Sequence, residues 1–335
     1  MAELLADHTT LRVGGPAVRF VHATTDNELV AEAADPTALV LAGGSNLVVA
    51  DAGFDGTVVR VETRGVTVTD DACGGIFVTV AAGESWDELV ARAVAEGWRG
   101  VEALSGIPGS VGATPIQNVG AYGQEVADTV ASVRCWDRTR AAQRTLATTD
   151  CGFGYRTSRF KQEPGRYLVL SVTLQLTRGD RGAPVRYAEL ARTLGVEPGG
   201  TAPAAAVREA VLDLRRSKGM VLDADDHDTW SAGSFFTNPF VAAAQVPLGA
   251  PAWPQADGSV KTSAAWLIEQ AGFARGYTVG NAGISTKHSL ALTNRGGATT
   301  ADLLALAAQL RRAVHDRFGI MLANEPVLVG CAIPE

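Results

Sequence analysis

Lysine is scarce in this 335-residue chain: Lys161, Lys218, Lys261 and Lys287 are the only four, and arginine supplies the rest of the 29 basic residues. Acidic residues number 36, so the formal net charge is −7. An acidic chain lacks the basic field that phosphate neutralisation requires, which argues against a nucleic-acid partner. Any anion it binds must meet a few placed cations. Cysteine is equally sparse, with Cys73, Cys135, Cys151 and Cys331 in no C-x-x-C pair and none at ligand spacing from a histidine. Metal and redox roles therefore have little support, and small thiols in a reducing compartment are expected. The uncharged stretches, such as 37–50, are broken by glycine and polar residues and fall short of the ~18 apolar residues of a membrane span. The opening MAELLADHTT has no basic region followed by an apolar core, so a cytoplasmic location is expected. Neither the P-loop pattern G-x-x-x-x-G-K-[ST] nor a G-x-G-x-x-G opening a helix occurs.

The apolar fraction, 46%, is that of a globular protein, and the length suggests two domains or three small ones. Alternating patterns predict strands at 18–23, 38–41, 47–49, 58–61, 66–69, 76–80, 130–136, 168–176 and 327–329. Helical spacing predicts helices at 26–34, 86–96, 204–216 and 301–318, the last with Leu303, Ala307, Leu310 and Val314 on one stripe. An Asp-rich stretch, 219–230, marks a boundary near 216–218.

Two glycine-rich segments stand out. Gly43-Gly44-Ser45-Asn46-Leu47 turns between two predicted strands. Residues 105–123, SGIPGSVGATPIQNVGAYG, combine five glycines and two prolines with almost no charge. Such backbone can gather N–H groups around an anion such as a pyrophosphate, because no Cβ blocks the approach. Each segment alone also suits a plain tight turn. Together they point to a dinucleotide held without a Rossmann motif. Arg156, among small and aromatic residues in CGFGYRTSR, suits the planar grip of a carboxylate. Ser234, in AGSFFTNP, has no G-x-S-x-G elbow and no evident histidine partner nearby, which disfavours a hydrolase triad. Such a serine can instead give its proton to a substrate carbanion. Trp253 and Lys261 flank PQADGSV and suit a base or sugar and a phosphate. Glu325 precedes Pro326 in an apolar context, which raises a carboxyl's pKa.

In this order the segments AGGSNLVV, SGIPGSVGATPIQNVGAYG, GYRTSRFK, AGSFFTNP and PQADGSVK, with RVGG before and NEP after them, resemble the UDP-N-acetylenolpyruvoylglucosamine reductases (UDP-N-acetylmuramate dehydrogenases), in the longer subtype with a tyrosine loop. The resemblance runs almost end to end. It implies an α+β fold: a vanillyl-alcohol oxidase/PCMH-like FAD-binding fold of two subdomains plus a C-terminal α+β substrate-binding domain. The implied division is 1–64 with 321–335 returning to it, 65–217, and 218–320 for the UDP-sugar.

FAD would be wrapped by Gly43, Gly44, Ser45, Asn46 and Leu47, by Gly106, Pro108 and Gly109, and by Gln117, Asn118, Gly120, Ala121 and Tyr122. With no histidine in either glycine-rich segment, it would be non-covalent. NADPH would reduce the flavin, and UDP-N-acetylglucosamine enolpyruvate would then accept the hydride, giving UDP-N-acetylmuramate for peptidoglycan. Arg156 and Glu325 match the residues that stabilise the enolate, and Ser234 matches the proton donor. Tyr155, Tyr187, Lys218, Asn238, Trp253 and Lys261 match substrate contacts. His288 stands where a polar amide is common and receives no catalytic role. A monomer is expected. Competing readings are a flavin oxidoreductase with another acceptor and a non-catalytic UDP-sugar or flavin-binding protein.

Overall fold

The computed structural model describes residues 3–71 and 74–335, so Cys73 lies outside the described residues. The chain forms two compact units. One comprises Met1–Val18, Gly44–Asp55 and Ser217–Glu335, and the other Arg19–Gly43 and Gly56–Arg216.

In the second unit an antiparallel sheet runs in the order Ala142–Ala147, Val130–Asp137, Tyr167–Arg178, Gly75–Ala81, Val66–Asp71, with Trp98–Arg99 pairing beside Tyr167–Arg178. Gly75–Ala81 alternates buried and half-buried residues, the mark of a strand with one face in a core. Val66–Asp71, at the sheet's edge, buries none of its residues. The helix Trp86–Ala95 starts where Ser85 accepts from the Glu88 N–H. Its buried face, Trp86, Leu89, Val90 and Ala93, joins Val78, Val80, Val133, Val172 and Leu174 in one core. A second sheet has the order Ala17–Ala23, Phe54–Val61, Leu39–Leu41, the last two parallel. The helix Ala204–Ser217 buries Val207, Ala210 and Val211 against Leu190 and Val185.

The first unit is built from short strands around one long helix, Thr300–Phe318. Leu303, Ala307, Leu310 and Val314 are fully buried on it, as the stripe predicts. Thr299 and Asp302 form a reciprocal cap, and the helix ends at Gly319 with φ 66°. Asp51 accepts the Thr300 and Ala301 N–H groups at 2.7 and 2.9 Å, a carboxylate on the positive end of the helix dipole. Around the helix lie a four-stranded sheet, Ser231–Ser234, Ala291–Asn294, Ala282–Ile284, Thr278–Val279, and a three-stranded sheet, Phe240–Ala242, Ser259–Thr262, Ala252–Pro254. A parallel pair joins Val327–Val329 to Leu47–Val49.

Candidate functional site

In the first unit three distant segments place Ser234, Glu325 and the 44–47 turn next to one another. Ser234 ends its strand opposite Ala291. The next residue, Phe235, is buried; its N–H donates to Leu290 O at 2.7 Å and its carbonyl accepts the Glu325 N–H at 2.8 Å. Phe236 bridges to Asn324. Two residues beyond Glu325 the chain becomes the strand paired to Leu47–Val49, and Asn46 O accepts the Val327 N–H at 2.9 Å. Gly44 (φ 59°) permits the turn: a Cβ there would lie 1.9 Å from His8 O.

Ser234 has a histidine partner, contrary to the sequence reading. Its Oγ lies 3.2 Å from Nε2 of His288, 54 residues on. That sequence distance is why the pair is invisible in the sequence. His288 sits in the turn entering Ala291–Asn294, the strand that pairs with Ser234, and no short-range pattern marks the pairing.

Of the remaining candidates of this unit, Asn238 follows in the same segment as Ser234, and Lys218, Trp253 and Lys261 lie apart from that cluster in the chain. Lys218 follows the helix Ala204–Ser217 and is half-buried. Asn238 Oδ1 accepts the Ala264 N–H at 3.0 Å, at the start of the helix Ala264–Gln270. On the three-stranded sheet Lys261 stands opposite both Trp253 and Phe240. Its Nζ lies 5.6 Å from the exposed Trp253 ring, within cation–π range.

In the second unit the 105–123 run and the 154–161 island come together. Arg156 Nη2 donates to Gly120 O at 2.7 Å, and a Cβ on Gly120 would come within 3.1 Å of Arg156 Nη1. Arg156 itself is left-handed (φ 52°), as are Asn118 (47°) and Tyr122 (49°). Asn118 is buried and bound to the protein: Nδ2 donates to Glu125 Oε2 (2.7 Å) and Gly154 O (3.1 Å), and Oδ1 accepts from Ala127 N–H (3.1 Å). The Arg156 guanidinium lies 5.5 Å from the Tyr155 ring.

Tyr122 packs edge-on against Tyr187, centroids 5.5 Å apart, and burial pushes its phenol up to about 12. Tyr187 is exposed at the start of the helix Ala188–Leu194. Gln117 and Ala121 lie in the same run, both half-buried. Gly43 abuts Gly109 so closely that a Cβ would sit 2.9 Å from Gly109 Cα, which joins the two glycine-rich segments. The turn at Gly106 (φ 71°), which leads into Pro108, is tied to the helix Trp86–Ala95, since its N–H donates to Asp87 Oδ1 at 2.6 Å. Burial pushes the Asp87 carboxyl up, but hydrogen bonds from Arg208 and Gly106 and the Arg208 and Arg215 charges outweigh it and hold it below the usual range.

Among the described residues no cluster of three or more His, Cys, Asp or Glu could hold a metal ion. Nor is any helix among them long and apolar enough to cross a membrane. Burial pushes the Cys135 and Cys151 thiols up to about 11 and about 12, so both stay protonated at neutral pH.

Residues 21–144 match the FAD binding domain family, and residues 225–329 match the family described as UDP-N-acetylenolpyruvoylglucosamine reductase, C-terminal domain. The chain is an FAD-dependent oxidoreductase enzyme of α+β architecture with an FAD binding domain. It is 58% identical to the UDP-N-acetylenolpyruvoylglucosamine reductase of Cutibacterium acnes (strain DSM 16379 / KPA171202), over 98% of this chain and 90% of that one. It is 56% identical to that of Thermobifida fusca (strain YX), over 98% and 97%. The crystal structure of UDP-N-acetylenolpyruvylglucosamine reductase from Thermus caldophilus superposes with a TM-score of 0.68 at 28% identity, covering 98% of each chain. The chain belongs to the UDP-N-acetylenolpyruvoylglucosamine reductase family.

Proposed function

We propose that the enzyme reduces UDP-N-acetylglucosamine enolpyruvate to UDP-N-acetylmuramate, a peptidoglycan precursor, with NADPH as reductant. The observation that supports this reading is the hydrogen bond of the Glu325 N–H to Phe235 O, which brings Glu325 from a remote segment alongside the residue that follows Ser234. FAD fits the residues present, since the abutting Gly43 and Gly109 line their loops with main chain rather than side chains. Gly43–Leu47 and the stretches 106–109 and 117–122 would hold it, non-covalently. When bound, FAD supplies hydride acceptance from NADPH and hydride donation to the enolpyruvyl methylene carbon.

The side chains manage the charge and the proton. Arg156, fixed by its bond to Gly120 O, places a guanidinium to bind the substrate carboxylate and stabilise the enolate. Glu325, protonated, donates a hydrogen bond to the same charge. Ser234 gives its hydroxyl proton to the carbon that does not receive the hydride, which completes saturation of the double bond. Lys218, Asn238 and Lys261 take the nucleotide diphosphate, Trp253 stacks on the nucleotide, Tyr155 contacts the substrate, and Tyr187 closes over the UDP. In this reading 218–320 is the UDP-sugar domain, and 1–64 with 321–335, and 65–217, are the flavin subdomains.

The test is NADPH oxidation by purified, flavin-loaded protein with and without the enolpyruvyl sugar nucleotide. Strict dependence on that acceptor supports the proposal. Turnover with other acceptors only would make it a different flavin oxidoreductase, and protein lacking a flavin spectrum would make it a binding protein.

A further inference from the structure

We propose that His288 is a positioning residue for proton delivery: its Nε2–H donates to Ser234 Oγ, leaving the serine's own hydrogen directed at the substrate carbon. The inference rests on the reading of Ser234 as the proton donor. The contact is 3.2 Å long and permits either direction of donation. Only one direction suits a donor serine. Were Nε2 the acceptor, the hydroxyl hydrogen would be engaged by the ring and withheld from carbon. With Nε2–H as donor, the hydrogen is available, and the imidazole opposes the negative charge that grows on Oγ as the proton leaves. In that step the Oγ–H bond breaks, the enolate electron pair forms the new C–H bond, and the alkoxide is held by Nε2–H. Water then returns a proton to Oγ.

The backbone around His288 is built to hold the ring still. Buried Ser285 accepts, at Oγ, the Lys287 N–H (3.0 Å) and the His288 N–H (3.3 Å). His288 O accepts the Ala291 N–H at 3.1 Å, at the residue paired with Ser234. The flanking residues are anchored too: Lys287 Nζ to Asp226 at 2.6 Å, the Thr286 main-chain N–H to Asp228 at 2.9 Å, and the Ser289 hydroxyl to Glu269. A turn tied down on both sides of one imidazole holds that imidazole in a defined place, as precise proton delivery requires.

The test compares Ser234→Ala, His288→Ala, His288→Gln and the Ser234→Ala/His288→Ala double variant in stopped-flow half-reactions. It adds ¹⁵N-histidine NMR of the flavin-free and flavin-loaded protein. His288→Ala is expected to slow flavin reoxidation by substrate about 10- to 100-fold, the worth of a hydrogen bond to a forming charge, while flavin reduction by NADPH is unchanged. His288→Gln, whose amide still donates, is expected to keep the rate within about threefold. In the Ser234→Ala background, loss of His288 should add no further slowing. The NMR should show His288 protonated at Nε2.

A wild-type reoxidation rate in Ser234→Ala would overturn the reading of Ser234, and this inference with it. Slow Ser234→Ala with a normal His288→Ala, an equal effect of His288→Ala with and without Ser234, or a His288 protonated at Nδ1 alone would each overturn the inference and leave Ser234 in place.

Discussion

The two units hold their candidate residues by different means. In the second, Asn118, Tyr122 and Arg156 lie on a left-handed backbone, and side-chain bonds to nearby carbonyls clamp one loop on another. In the first, Ser234 ends a strand and Glu325 lies in a bend before another, neither with a left-handed backbone, and their meeting depends on pairing among 44–49, 231–236, 288–294 and 324–329. A non-glycine left-handed residue costs about 1 kcal/mol or more, and surrounding contacts must hold it there. Long-range pairing carries little local strain, but it exists only once the whole unit has folded. The second unit therefore stores its geometry as local strain, and the first stores it as topology.

The sharpest way to break the comparison is Arg156→Ala. Removal of a preorganised charge is expected to slow reoxidation by substrate about 10²- to 10³-fold, read in single turnover, with NADPH reduction of the flavin much less affected. Arg156→Lys should recover little, because a lysine cannot reproduce the planar fork. Within the first unit, Gly44→Ala places a Cβ on the His8 carbonyl and is expected to cost about 3 kcal/mol or more in a denaturant titration. Gly233→Ala is the control: it is also left-handed (φ 72°) but opens onto empty space, and should cost only about 1 kcal/mol. Equal losses at the two glycines would show that crowding at His8 is not what fixes the turn.

In the second unit Asn118→Ala removes three hydrogen bonds from a buried position and should cost about 2–3 kcal/mol. Faster proteolysis between residues 118 and 127 would locate the loss in that loop. The smallest effect expected is on acid stability. Asp228 is pushed up by burial, yet the Thr286 hydrogen bonds and the Arg295 charge hold it below the usual range, as Arg208 and Gly106 do for Asp87. Folded carboxyls that bind protons less readily than unfolded ones stabilise the fold above the ordinary aspartate pKa of about 3.9. That stability is lost as the pH falls through the lower folded values. Asp228→Asn should flatten the acid limb of a pH–stability curve for the first unit, and Asp87→Asn for the second. A limb unchanged by both would place the acid sensitivity elsewhere.

Legibility in the sequence followed the same division. The second unit's strands show alternation, and those predicted at 76–80, 130–136 and 168–176 are observed as Gly75–Ala81, Val130–Asp137 and Tyr167–Arg178. The first unit's sheets went largely unread. Ala282–Ile284 and Ala291–Asn294 are buried on both faces, so no polar residue alternates with an apolar one, and both are short and rich in small residues. Without the Ala291–Asn294 strand there was no route from Ser234 to His288.

The sequence by itself determined the long helix and its buried stripe, most of the second unit's strands, and the glycine-rich segments and lone side chains, because these rest on side-chain period and backbone freedom within a few residues. Only the tertiary structure decided that Glu325 adjoins Phe235, that Asn118 reaches the Gly154 carbonyl, and that an imidazole meets Ser234. Those relations join segments remote along the chain, and hydrogen-bond pairing across a sheet leaves no mark on the order of the residues it brings together.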